Sequence, residues 1–222
     1  YSPRPLRLPG CFQANDSREP LLPPVSRADE GLPDGAFVFA CFSHHYKITE
    51  TVFAAWCRIL AEVPGAVLWL TDDNPQSQAA LRSRAQSAGL DPARLIFAAR
   101  VAPARYRARL ALADLFLDTT PYNAGTVASD ALRMGLPVLT QLGKSFAARM
   151  AASLLTRIGL TDCIAKDAED YVALAVAIAR TPHRHAGLRQ RLADGVWQRT
   201  LGDVEGFTRN LEAALLSVRL QG

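Results

Sequence analysis

Residues 115–135 read LFLDTTPYNAGTVASDALRMG, and this stretch decides the fold. Leu115-Phe116-Leu117 is an uninterrupted apolar run, the mark of a strand buried on both faces, and it ends at Asp118. A turn rich in Pro121, Asn123 and Gly125 follows, then a helical stretch over about 126–134. A strand, a small-residue loop and a helix start together present free backbone N–H groups to an anion. Thr126 adds a hydroxyl at the helix start, and Gly125 lets a ligand approach the backbone closely. One turn on, the Asp130 carboxylate would repel a phosphate but accept a hydrogen bond from a sugar hydroxyl. An ordinary capped helix in an α/β sheet fits the same local pattern.

Outward from this stretch the strands repeat. Phe37–Phe42, Val67–Leu70, Leu95–Phe97, Pro137–Thr140 and Cys163–Ala165 are further apolar runs of strand length. Helical spacing lies between them over 51–63, 78–88, 104–112 and 146–158, with Gly89 and Gly159 as stops. Strict alternation predicts a doubly wound parallel α/β sheet. Beyond Lys166 the pattern is helical to the end, over 168–180, 183–192 and 204–220. Residues 1–35 hold half of the 14 prolines and no periodicity, so they read as an extended connector, and 36–222 as the folded domain. The first residue is not Met, and the expectation is a piece of a longer protein.

Of the 222 residues, 49% are hydrophobic and 21% charged, which excludes wholesale disorder. The formal charge of +4 comes mostly from scattered arginines. That suits an anionic small ligand and argues against nucleic acid. No apolar run is long enough to span a membrane. Cys11, Cys41, Cys57 and Cys163 lie far apart without CxxC spacing, so free thiols in a reducing, cytoplasmic setting are expected.

In an open parallel sheet the ligand sits at the carboxyl ends of the strands, so the loops leaving them are the candidate sites. After the first strand come Ser43-His44-His45-Tyr46-Lys47. Lys47 can reach a diphosphate, and the two histidines can donate to phosphate or sugar oxygens. A solvated surface lysine is the plainer reading of Lys47. Consecutive histidines diverge and lack a carboxylate or cysteine at ligand spacing, so no metal site is expected. Thr71-Asp72-Asp73-Asn74 before Pro75 fits turn chemistry better than a metal–nucleotide site. After the third strand, Ala102-Pro103 opens a helix carrying Tyr106, Arg107 and Arg109. Pro103 as the first helical residue leaves preceding backbone groups free for a planar base, which Tyr106 can stack on and Arg109 brace. An exposed basic helix explains the same residues. No GxSxG, HExxH or GxxxxGK[ST] motif occurs, so the residues alone offer a nucleotide pocket and no nucleophile paired with a base.

Taken together, FVFACFSHHYKI, VAP, ADLFLDTTPYNAGTVASDALRMGLPVLT and FAARMAASLL resemble the C-terminal catalytic half of O-linked N-acetylglucosaminyltransferases. The likeness is closer to bacterial tetratricopeptide-repeat proteins with a SPINDLY-like transferase region, and it covers about residues 8–215. The resemblance implies the GT-B architecture, two Rossmann-like halves around a sugar nucleotide. It makes this chain the UDP-sugar-binding half, with UDP-GlcNAc as donor and a polypeptide Ser or Thr as acceptor. Catalysis would be inverting and would need no metal or other cofactor. It also implies partners within the same parent protein, namely an N-terminal catalytic half and tetratricopeptide repeats, so that this piece alone would not turn over.

Position by position, the resemblance assigns Lys47 to the departing diphosphate and Thr126, with the backbone of Gly125 and Val127, to phosphate. It assigns Asp130 to ribose and Ala102 and Pro103 to uracil, with Tyr106 and Arg109 beside them, and it places His44 by the sugar nucleotide. The chain departs from the family at several points. Val127 stands for a second threonine, His44-His45 for Asn or Gln followed by a small or apolar residue, Arg133 for Trp and Lys144 for Glu. Loss of one hydroxyl contact to phosphate costs about 1.5–3 kcal/mol. These departures motivate two rivals: a catalytically degenerate module that binds protein partners, and a transferase using another nucleotide sugar.

Overall fold

The computed structural model describes residues 6–219. Six parallel strands form one sheet: β1 (Val38–Cys41), β2 (Val67–Thr71), β3 (Leu95–Ala98), β4 (Leu115–Leu117), β5 (Val138–Gln141) and β6 (Ile164–Ala165). Their order is β3-β2-β1-β4-β5-β6, with registers such as Phe39 beside Leu68 on one side and Leu115 on the other. This is the doubly wound order expected from the alternation. Strand order reverses between β1 and β4, so the loops leaving these two strands flank the crevice where such sheets bind ligands.

Helices α1 (Glu50–Glu62), α2 (Pro75–Ser87), α3 (Pro103–Leu110), α4 (Thr126–Arg133), α5 (Met150–Ile158) and α6 (Ala168–Arg180) cover the sheet. α7 (Pro182–Ala193), α8 (Val196–Thr200) and α9 (Val204–Arg219) complete the chain. Phe39, Trp56, Trp69 and Phe116 are fully buried and fill the space between layers. The caps follow from the sequence: Thr49, Asn74 and Asp167 accept from the N–H groups of Val52, Ser77 and Asp170.

Several boundaries differ from those read off the sequence. α2 begins at Pro75, three residues before the expected Gln78, because Asn74 caps it and Pro75 takes the first position. The expected helix over 146–158 divides into a 3₁₀ turn at Ala147–Arg149 and α5. α8 was not anticipated; Gly195, at φ 67°, separates it from α7. The expected helix end at Leu220 and the first five connector residues lie outside the described residues.

From Leu6 to about residue 35 the connector is irregular apart from one 3₁₀ turn, and polar side chains fasten it to the domain. Asn15 donates to Leu201 O at 2.8 Å and accepts from Ser129 Oγ at 2.7 Å. Arg133 donates to the carbonyls of Asp16, Ser17 and Glu19 while stacking over Trp197. Arg27 bonds Leu112 O, Ala36 O and the Asp114 carboxylate, which also accepts from Val38 N at the start of β1. Cys11, Cys41, Cys57 and Cys163 are free and buried. Among the described residues no helix is long and apolar enough to cross a membrane.

Candidate functional site

The centre of the site is a side chain whose role the sequence did not reveal. Asp118, at the end of β4, is 2% exposed. Its Oδ1 accepts from Thr119 N at 2.8 Å and Ala124 N at 2.7 Å, and its Oδ2 from Thr140 Oγ1 at 2.6 Å. One carboxylate thus gathers the whole 119–124 turn and ties it to β5. Tyr171 donates to Asp118 O and receives a hydrogen bond from Trp56 Nε1, linking the turn to α6 and α1. Burial pushes the Asp118 carboxyl up to about 7, against the opposing pull of its donors and of Lys47.

Lys47 is half-buried, and the solvated surface lysine is ruled out. Its ammonium lies 3.7 Å from the centroid of the Tyr122 ring and donates to Asn123 O at 3.3 Å. Burial lowers its pKa, opposed by the nearby Asp118 and Cys41. The lysine from the β1 loop is therefore held directly against the β4 turn, across the point where strand order reverses.

That turn leads into α4. Gly125 is the N-cap, and no side chain caps the first turn. Thr126 is exposed at the first helical position, and Val127 is half-buried against the core. A Cβ at Gly125 would sit 2.5 Å from Cε at the flexible end of Met150, so the glycine leaves room for that side chain of α5.

A cavity of about 430 Å³ opens at the carboxyl ends of β1, β2 and β3 and reaches α4 at Asp130. It brings together His44, Pro103, Tyr106, Arg109 and Asp130, five of the residues expected to bind a nucleotide. Lys47, Ala102, Gly125, Thr126 and Val127 do not line it. Lys47 meets the turn that leads to Gly125, and Asp130, one turn along α4 from Thr126, connects helix start and cavity. Burial raises the Asp130 carboxyl, partly offset by Arg107 and Arg133. A larger cavity of about 700 Å³ lies by α5 and β6 and contains none of these residues.

On α3 the exposed basic helix does not hold. Arg107 and Arg109 are buried, and only Arg105 is exposed. Arg109 pairs with Glu30 at 2.8 Å, donates to Ala99 O at 2.7 Å and lies over Trp69, so it braces the β3–α3 loop. Arg107 pairs with Glu19 of the connector. Tyr106 packs against Phe42, and its buried hydroxyl has no partner among the described residues. Ala102 is the N-cap of α3, its carbonyl accepting from Tyr106 N at 2.9 Å.

Two further residues were missed. Asp73, read as turn chemistry, accepts from His45 N, His44 Nδ1 and Arg100. Asn123 is fully buried, donates to Thr119 O and offers Lys47 its carbonyl. The signal for Asn123 was its place in a turn; nothing local betrays the reach of Asp73 into a neighbouring loop. His44 and His45 diverge, their Nδ1 atoms meeting Asp73 and Ser77 respectively.

A family model described as glycosyl transferase family 41 matches residues 15–211. The UDP-N-acetylglucosamine–peptide N-acetylglucosaminyltransferase of Caenorhabditis elegans is 34% identical over 191 residues, covering 86% of this chain and 17% of that protein. The probable enzyme of the same name, SEC, from Arabidopsis thaliana is 32% identical over 219 residues, covering 96% and 22%. An O-GlcNAc transferase variant from Thermobaculum terrenum superposes with a TM-score of 0.82 at 28% identity, covering 94% of this chain and 40% of that one. The chain therefore spans about a fifth of the length of these curated relatives. The doubly wound sheet is one Rossmann-like half of the GT-B kind. With the match running through the β1 loop, the Asp118 turn and the cavity at the carboxyl ends of β1–β3, this chain belongs to glycosyl transferase family 41.

Proposed function

We propose that this chain is the donor-binding half of a transferase that moves GlcNAc from UDP-GlcNAc to Ser or Thr hydroxyls of proteins. The observation that carries the reading is the cavity at the carboxyl ends of β1–β3, which joins Pro103 and Tyr106 to Asp130 on α4, the helix that follows the Lys47-braced turn. Pro103 and Tyr106 form the wall for a planar base, and Asp130 accepts from the ribose hydroxyls. The diphosphate then lies between Lys47 and the uncapped start of α4.

In the transfer, the acceptor oxygen bonds to C1 of the sugar as the C1–O bond to the diphosphate breaks on the opposite face, inverting the centre. The negative charge released onto UDP is met by the Lys47 ammonium and the α4 dipole, which do the work of a metal ion. The hydroxyl proton leaves toward groups of an N-terminal half, which with tetratricopeptide repeats would also hold the polypeptide.

Calorimetric titration with UDP, with and without magnesium, tests this. Saturable binding of equal strength in both is expected. Asp130→Ala removes hydrogen bonds to an ionised acceptor and should weaken binding at least tenfold, for a loss of about 1.5–3 kcal/mol. Because burial raises the Asp130 pKa, UDP affinity should fall with acidification sooner than for an ordinary carboxylate. If UDP binds neither this chain nor the chain joined to its N-terminal half, the protein-binding module takes the place of the enzyme. Turnover of several nucleotide sugars by the joined protein separates the remaining rival.

A further inference from the structure

Asp73 sits at the β2–α2 turn, yet its carboxylate is spent on other loops. Oδ2 accepts from His45 N at 2.9 Å, while Oδ1 meets His44 Nδ1 at 3.1 Å and Arg100 Nη2 at 3.2 Å. His44 opens the loop in which Lys47 follows three residues later, and it lines the same cavity as Asp130. The neighbours pull Asp73 below the usual carboxylate range against its partial burial, so it is an anion that can only accept. His44 Nδ1 must therefore carry a proton, which leaves Nε2 as the polar atom free for a ligand. A neutral ring of this tautomer presents only a lone pair there, which repels phosphate. A protonated ring presents an N–H.

We propose that Asp73 is a positioning residue for the donor nucleotide, holding His44 so that its Nε2 engages the diphosphate as an imidazolium. The inference rests on the nucleotide reading above. On binding, Nε2 takes one proton from solvent, and the cation is then held between the Asp73 carboxylate and the phosphate oxygens. The other charged groups are arranged consistently with this. Arg100, from the β3–α3 loop, shares Oδ1 of Asp73, and its side chain is 69% exposed at the cavity rim. Tyr46 stacks on the His44 ring at 5.7 Å. Asp130 on α4 and Tyr106, Arg107 and Arg109 on α3 line the same cavity. Asn74, not Asp73, caps α2, so Asp73 can be changed without uncapping a helix.

The test is titration of this chain with UDP at pH about 7.5 in buffers of different ionisation enthalpy, which counts protons exchanged on binding. The terminal phosphate of UDP, with its second pKa near 6, also exchanges protons, as does Lys47. Both are common to wild type and His44→Gln, so the difference between the two isolates His44. More proton uptake by wild type than by His44→Gln is expected. Asp73→Asn keeps an acceptor for His45 N but can donate to His44 Nδ1 and reverse the tautomer. It should abolish the extra uptake and weaken UDP by about tenfold, as loss of a charge-assisted pair does, with an unchanged melting temperature. Nitrogen NMR of His44 should show the proton on Nδ1 in wild type and on Nε2 in Asp73→Asn. Equal uptake in wild type and His44→Gln overturns the clamp and leaves the nucleotide pocket standing. Failure of wild type to bind UDP, alone or with its N-terminal half, overturns both.

Discussion

Asp118→Ala is expected to destabilise the domain by about 3–6 kcal/mol, whereas Asp118→Asn should change stability by no more than about 1 kcal/mol. Alanine orphans the N–H groups of Thr119 and Ala124 and the Thr140 hydroxyl in a buried place. Each stranded group costs about 1–3 kcal/mol, and a domain has only about 5–15 kcal/mol to lose. Asparagine keeps Oδ1 for the two N–H groups and offers Nδ2 to the Thr140 oxygen, as the protonated acid does. The pH dependence separates the two. A carboxyl raised to about 7 from its ordinary value of 3.8 is held protonated by the folded state. Its contribution is complete below about pH 4 and is lost as pH rises through 7. Urea unfolding between pH 4 and 8 should therefore show a falling component in wild type that Asp118→Asn lacks. An Asp118→Ala protein as stable as wild type would deny the carboxylate its organising role.

The sheet was legible because its strands are buried on both faces, and burial writes itself as unbroken apolar runs such as Val67–Leu70. α6 was read to its boundaries, Ala168–Arg180, because Asp167 caps it and its apolar spacing is regular. Legibility failed where a polar side chain finds its partner far along the chain. Nothing near Arg107 and Arg109 indicates that Glu19 and Glu30 of the connector neutralise them, so the helix read equally well as exposed. Arg133 stood out only as a departure from a family pattern. The structure shows it binding connector carbonyls over Trp197, outside the lining of the cavity. The candidate residues could be narrowed to a few loops because loops after parallel strands are few. Asp118 and Asp73 were passed over because a carboxylate at a strand end or in a turn looks the same whether it points to water or organises the neighbouring backbone.

Lys47→Ala should lower the turnover of the complete transferase by about 10²–10³, the scale of removing one preorganised charge-stabilising group. Stability should move far less, because the half-buried ammonium already bears a desolvation cost that its loss relieves. The proposed role requires a specific split. Charge on UDP develops mainly in the transition state, so kcat should fall further than UDP affinity, and KM for the polypeptide should stay unchanged. Lys47→Arg tests geometry at constant charge. The larger, planar guanidinium does not fit as a point charge over Tyr122 beside Asn123 O, and it should restore only part of the rate. The sign of the pKa shift adds a second reading. Burial lowers the Lys47 pKa below 10.5 in the free protein, so the alkaline limb of the kcat/KM profile should fall at lower pH than a free lysine would give. That limb should vanish in Lys47→Ala. If kcat instead survived the change, the helix start at Thr126 would be left as this half's means of meeting the charge on the leaving diphosphate.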